Sequence, residues 1–497
     1  MSAFEQQPVS RELPDRLRYG EAFRTFLKCN PDYRETVELD RWRSREFARL
    51  DRQGHVYLDY TGGGLYGQSQ LRRHFDFLSE KVLGNPHSSN PTSAQTTQWV
   101  ESARSRVGRF FNADPDEYVV IFTANASHAL KLVGESYPFR PGDRFLLTFD
   151  NHNSVNGIRE FDRAHGAETT YVAVLPPEMR ADEQMLLKEL DALADRPGAN
   201  GLFAYPAQSN FSGVQHPLEW VEQAQSRGWD VLLDAAAFIP TNRLDLSRFH
   251  PDFVALSFYK MFGYPTGVGA LIARRKALLK LHRPWFAGGT IEVASVQADR
   301  FAPAAGAAAF EDGTLDYANL PAVEIGLDFI DTIGLPAIHQ RVSCLTAWLL
   351  QQLSSLRHAE GSPAAVVYGP TEMIRRGGTV AFNFLDRRGR IIDHKIVEEQ
   401  ASQSRISLRT GCFCNPGAGE MALGLSRGEI ESCFSDSSSG MTYEGFRGCI
   451  SSKGSGAVRV SLGLASNFRD VHAFLKFASA VRTGASEASG AYFPQDS

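Results

Sequence analysis

Residues 256–272 read LSFYKMFGYPTGVGALI. An apolar run ends at Lys260, and a turn with glycines at 263, 267 and 269 leads into a second apolar run. A lysine in that place is costly to desolvate; burial lowers its pKa and makes the amine nucleophilic. Taken singly, such a lysine more often snorkels its ammonium to solvent. The surrounding chain decides between the two.

Working outward, seven short runs rich in Val, Phe, Leu and Ile read as strands. They are EYVVIFT (117–123), DRFLLTF (143–149), TTYVAVL (169–175), NGLFAYP (200–206), WDVLLDA (229–235), PDFVALSF (251–258) and GVGALIA (267–273). Helical patterns lie between several of them, such as SHALKLVGESY, EQMLLKELDALADR and PLEWVEQAQSRG. This alternation predicts an α/β fold with a mainly parallel sheet covered on both faces. In such sheets chemistry gathers at the carboxyl ends of the strands.

After the first run, TANASHALKLVGE opens a helix on small polar residues. Ala126 and Ser127 stand where backbone N–H groups would suit a phosphate, although a plain Ser or Asn cap is the commoner use. His152 follows the second run, and a single histidine is more often structural. Asn210 follows the fourth run. Asp234 ends the fifth, where an unpaired buried carboxylate costs on the order of several kcal/mol. A helix cap or a cationic ring nitrogen would satisfy it. A helix start suited to anions, a histidine, an asparagine, an aspartate and Lys260, closing strand after strand, are the equipment of a pyridoxal-phosphate site.

At 497 residues the chain exceeds one ordinary core, so more than one domain is expected. Residues 1–55 read as a charged helical lead-in that belongs with a small domain, and 56–335 as the large cofactor-binding domain. Residues 336–482 read as a smaller α+β domain containing a Ser/Gly-rich flexible insertion at 435–456, and 483–497 as a tail. A hydrophobic share of 43% and a charged share of 22% are ordinary for a soluble protein. The net charge of −5 offers no electrostatic footprint for nucleic acid. No apolar run is long enough to cross a bilayer, and the first twenty residues lack the apolar stretch of a signal peptide. A cytoplasmic location is the default expectation.

The order and wording of YLDYTGGG, GNPHS, FTANASHALKLVGE, DNHNSVNGIRE, FAYPAQSNFSG, SFYKMFGYPTGVGALI and LRTGCFCNPG resemble class-V, fold-type I pyridoxal-phosphate enzymes of the cysteine desulfurase group. The nearest likeness is to the amino-terminal domain of the molybdenum cofactor sulfurases, and it covers roughly residues 55 to 470. The resemblance implies that Lys260 holds the cofactor covalently, Asp234 keeps its pyridine nitrogen protonated and His152 stacks on the ring. It implies that Asn210 meets the ring hydroxyl or the substrate carboxylate, and that Ala126 and Ser127 hold the phosphate with Ser257 and Tyr259 nearby. Arg459 would grip the substrate α-carboxylate, a bidentate geometry lysine cannot copy, with Arg409 beside the reactive loop. Thr290 would reach the phosphate of a neighbouring subunit, which implies a homodimer. The chain departs from many relatives at Ala237, where they carry glutamine, and at Tyr259, where they carry histidine. Eukaryotic sulfurases continue into a domain that binds the molybdenum cofactor; this sequence is expected to lack one, which leaves the sulfur acceptor open.

Six cysteines are too few and too scattered for a disulfide framework, and Cys29, Cys344, Cys433 and Cys449 stand alone in sequence. Cys412 and Cys414 have no second Cys or His pair at zinc spacing, so free thiols are expected. Within the resemblance, Cys414 takes sulfur from L-cysteine as a persulfide, leaving alanine, with Cys412 nearby. In extended backbone the two would share one face with Phe413 opposite. The competing readings are a redox pair or buried filler, or a carbon–sulfur lyase or aminotransferase-like enzyme in which this loop has no role.

Overall fold

The computed structural model describes residues 19–435, 442, 445, 448–450, 454, 456 and 457–483. The insertion expected at 435–456 falls mostly outside the described residues, and the tail almost entirely so.

After a short strand β1 (Val56–Tyr57), the strands of the main sheet are β2 (Tyr118–Thr123), β3 (Arg144–Thr148), β4 (Glu168–Val172), β5 (Gly201–Pro206), β6 (Trp229–Asp234), β7 (Phe253–Ser257) and β8 (Gly269–Arg274). Their order is β2-β8-β7-β6-β5-β3-β4, seven strands in all. Pairing is parallel throughout β7-β6-β5-β3-β4, while β8 runs antiparallel to both β7 and β2. The fold is therefore the expected α/β sheet, with its seven strands where the apolar runs lie. Alternate side chains enter two separate cores: Val120, Phe203, Leu233 and Leu256 pack on one face, and Ile121, Leu202, Leu232 and Ala255 on the other. Burial on both faces is why these strands read as unbroken apolar runs.

The carboxyl ends of β2, β3, β5, β6 and β7 lie along one edge, and each is followed by a polar residue from the expected site. Beyond β7 the chain makes one short helix, Phe258–Phe262, carrying Lys260. Gly263 ends it in the left-handed region at φ 78°, where any Cβ would strike the Leu65–Tyr66 backbone. Phe262 is fully buried against Gly326 of the helix Leu320–Ile333, where an added Cβ would lie 2.2 Å from the Phe262 ring. Gly326→Ala is thus expected to overpack the contact that seats Lys260. Thermal melting should show a loss of roughly 1–3 kcal/mol.

A second sheet follows the helix Leu335–Ser354. Its strands are β9 (Ala365–Tyr368), β10 (Thr379–Phe384), β11 (Arg409–Gly411) and β12 (Ala457–Ser461), in the order β9-β10-β12-β11, all antiparallel. The lead-in is stitched onto this part of the chain. Strand β1 pairs in parallel with Ile406–Ser407, and Arg43 binds Asp470 and the Ala465 carbonyl. Arg341 binds Asp40 and the Thr36 backbone, and the Tyr33 hydroxyl accepts from the Phe468 N–H.

The cysteines need one correction. Cys433 and Cys449 do not stand alone: they form a disulfide with Cα atoms 5.9 Å apart. The helix Arg427–Ser435 and the return of the chain at 448–450 bring together two residues 16 positions apart. Cys29, Cys344, Cys412 and Cys414 are free thiols.

Candidate active site

A cavity of about 350 Å³ opens at the strand ends, lined by Asn125, Ala126, Ser127, His152, Asp234, Ser257, Tyr259, Lys260, Thr266 and Gly267 among others. Most of the residues read from separate strand ends therefore meet around one space. At one end the helix Ala126–Ser136 begins. Its cap Asn125 accepts from the His128 N–H, Ser257 Oγ accepts from the Ala126 N–H, and Ser127 Oγ lies 2.6 Å from Ser154 Oγ. The Ser127 N–H, in the first turn, has no intrahelical acceptor. A helix start furnished with three hydroxyls suits a phosphate.

Asp234 is buried at the end of β6, where its Oδ1 accepts from the Ala236 N–H at 3.0 Å. Its second oxygen is left for a cationic partner. His152 caps the next turn, Nδ1 accepting from the Ser154 N–H at 3.1 Å, while its ring lines the cavity. Burial holds this imidazole below the usual histidine range, with Asp234 pulling the other way. His152 is thus both the cap of this turn and part of the cavity wall.

Lys260 lines the large cavity and also a small one of about 20 Å³ behind it, which Ala237, Gln208, Thr61 and Thr379 share. Burial pushes its amine below the ordinary lysine value; Asp234 opposes that shift, while Arg459 and Arg409 reinforce it. The lysine does not snorkel to solvent. A low-pKa amine, a buried carboxylate and an anion-binding helix start around a space of this size fit pyridoxal phosphate.

The arginines come from neighbouring strands, directly opposite one another in the β11–β12 register. Both bind Asp59: Arg459 Nη2 at 3.0 Å, and Arg409 through Nε and Nη2 at 3.0 and 2.7 Å. Arg459 is buried, and desolvation pushes its guanidinium down to about 10 despite Asp59. Its Nε has no hydrogen-bond partner. Two guanidinium groups on one carboxylate leave a surplus positive charge, suited to a second carboxylate. Asp59 had no role in the sequence reading because about 350 residues separate it from Arg409 and 400 from Arg459.

Cys414 is exposed; its carbonyl accepts from the Asn153 N–H at 2.7 Å, next to His152, and its neighbour Phe413 lies against the Arg459 guanidinium. The extended backbone expected here is corrected. Phe413 and Cys414 have φ of 57° and 55°, and the Asn415 N–H donates to the Cys412 carbonyl, closing a tight turn. Phe413 is buried at 7% exposure between the two exposed cysteines, with its ring 5.3 Å from Phe211 and 4.6 Å from the Arg459 guanidinium. Neither cysteine is buried filler.

Asn210 and Thr290 have other neighbours. Asn210 does not line the cofactor cavity: its amide donates to the Phe413 carbonyl at 2.8 Å and accepts from Asn415 at 2.9 Å. Asn210 thus serves the Phe413 backbone carbonyl, and what it supports is the cysteine turn. Thr290 is buried, bonded to Ala287, and lies along a separate apolar groove beside Trp285, Phe286 and Phe301.

Residues 56–474 match the family model described as aminotransferase class-V. Among curated proteins, the chain is 38% identical over 458 residues to molybdenum cofactor sulfurase of Homo sapiens, covering 88% of this chain and 50% of that one. It is 36% identical over 477 residues to molybdenum cofactor sulfurase of Arabidopsis thaliana, covering 88% and 57%. The chain thus spans about half the length of the curated relatives it matches. Among solved structures, a cysteine desulfurase from Thermococcus onnurineus NA1 shares its fold with a TM-score of 0.72 at 23% identity, covering 89% of this chain and 98% of that one.

Proposed function

The chain belongs to the class-V aminotransferase family, a family of pyridoxal-phosphate enzymes, and from that premise we propose that it removes sulfur from L-cysteine, giving alanine and a persulfide on Cys414. The observation that carries this reading is an exposed thiol, Cys414, on a turn that is bonded to Asn153 beside the cavity-lining His152 and whose Phe413 ring lies 4.6 Å from the Arg459 guanidinium. An aminotransferase needs the lysine; it has no use for an exposed thiol on such a turn.

Pyridoxal phosphate, when bound, supplies an electron sink. The chain's own residues would do the rest. Ser127 and Ser257 at the helix start would hold the phosphate, Asp234 would hold the ring nitrogen, and His152 would lie against the ring. Arg459, freed from or shared with Asp59, takes the substrate carboxylate. The Lys260 amine carries the proton from the substrate α-carbon. The Cys414 thiolate attacks the substrate sulfur: a sulfur–sulfur bond forms, the carbon–sulfur bond breaks, and its electron pair returns to the substrate skeleton, which leaves as alanine after protonation. The sulfane sulfur on Cys414 then passes to an acceptor. The name borne by relatives at 36–38% identity puts the molybdenum cofactor first among acceptors to test.

Incubation of the purified, cofactor-loaded protein with L-cysteine tests the reading. Alanine and, with a thiol reductant, sulfide should appear in equal amounts. A loaded protein that makes no alanine from L-cysteine would overturn it, and cysteine conjugates would then distinguish a carbon–sulfur lyase.

We further propose that the protein acts as a homodimer. The hairpin of Ile291–Ser295 and Arg300–Pro303 leaves Val293, Val296 and Phe301 exposed, with Trp285 and Phe286 beside it and Thr290 in the same groove. A contiguous apolar patch of this kind marks an interaction surface. Sedimentation at micromolar concentration should give twice the chain mass; a monomer would reject the assignment of Thr290.

A further inference from the structure

Phe413 and Cys414 sit consecutively in the left-handed region, which costs a side-chain-bearing residue roughly 1–2 kcal/mol each. Such strain persists only where the surroundings over-determine it. Here every carbonyl of the turn is taken. The Cys412 carbonyl accepts from the Asn415 N–H at 2.9 Å, Phe413 from the Asn210 amide at 2.8 Å, and Cys414 from the Asn153 N–H at 2.7 Å. Asn415 is fully buried, and its Nδ2 donates to the Asp150 carbonyl at 2.6 Å and to Asn210 Oδ1 at 2.9 Å. Its Oδ1 accepts from the Ala418 N–H, capping the helix Pro416–Leu423. Asn210 in turn presents its carbonyl to Arg459 Nη1 at 2.9 Å. The turn is thus clasped to the segment that precedes His152 and to the arginine that faces the substrate carboxylate.

We infer that Asn415 is the positioning residue of the nucleophile: its amide, clasped to Asp150 and Asn210, fixes the left-handed turn that carries Cys414 between Phe413, stacked on Arg459, and Asn153, next to His152. The kinetic part of this inference rests on the sulfur-transfer reading above; the placement of the thiol does not. Asn415 touches neither substrate nor cofactor and acts through Cys414.

Asn415→Ser separates the clasp from the cap. Serine is as good a helix cap as asparagine, but its side chain is too short to span to both Asp150 and Asn210. The variant should load cofactor and melt within a few degrees of wild type. Its kcat for alanine should fall about 100-fold, the cost of displacing a reacting group by about 1 Å, with KM for L-cysteine unchanged within about twofold. Independently of turnover, iodoacetamide labelling read by mass spectrometry should show the Cys414:Cys412 rate ratio falling at least threefold, because the turn beside the Arg459 guanidinium is released. An unchanged labelling ratio overturns the inference, as does an unchanged kcat in a wild type that makes alanine. If wild type makes no alanine while the ratio still falls, the clasp stands and the sulfur reading alone fails.

Discussion

Lys260→Met is expected to abolish alanine formation, with kcat down at least ~1,000-fold, because general acid–base transfer alone contributes about 100- to 10,000-fold. Methionine keeps the aliphatic stem and removes the amine. Borohydride should fix the cofactor to wild type and leave the variant unlabelled. Turnover within tenfold of wild type would remove Lys260 from the chemistry. The same substitution has a stability signature with a definite sign. Burial holds the native amine below its ordinary value, so the unfolded chain binds the proton more tightly and the buried lysine weakens the fold at neutral pH. That penalty is complete below the native pKa and disappears as pH rises from there toward the ordinary lysine value. Cofactor-free Lys260→Met should therefore melt above cofactor-free wild type at pH 7, and the gap should close as pH approaches about 10.4.

Cys414→Ser should lose sulfur release from L-cysteine by at least ~1,000-fold, since a serine hydroxyl without a paired base is a far weaker nucleophile than a thiolate. Cofactor loading should be unaffected, because Cys414 is not among the residues lining the cofactor cavity. Mass spectrometry of wild type after one turnover without reductant should find one added sulfur on the peptide containing Cys414. A serine variant that still releases sulfide at the wild-type rate would show that the Cys414 thiol is not the acceptor.

What could be read along the chain follows from what is encoded locally. Strands buried on both faces produce apolar runs, and the residues ending them fall on one edge; Lys260, Asp234, His152 and Ser127 meet there as expected. The conformation of the cysteine turn is not legible in the sequence because left-handed backbone is signalled by glycine, and here Phe413 and Cys414 adopt it under the pull of residues 150, 153 and 210. Asn415 carried a usable sign, asparagine followed by proline and glycine at a helix start. Asp59 carried none, because its partners lie in another sheet. The Cys433–Cys449 bond was hidden by a Ser/Gly segment whose composition gives no hint of where its ends meet.

Asp59 follows the first short strand, while Arg459 lies 400 residues after it and Asp470 lies 427 residues after Arg43. As the chain leaves the ribosome, the sheet that carries Lys260 can close long before either arrives. The amino-terminal segment must wait, its Arg43 without Asp470 and its Asp59 without Arg459. The cofactor half is thus made first and the carboxylate seat last. A nascent chain arrested before residue 457 would present a nearly finished lysine pocket without Arg459 in place at Asp59.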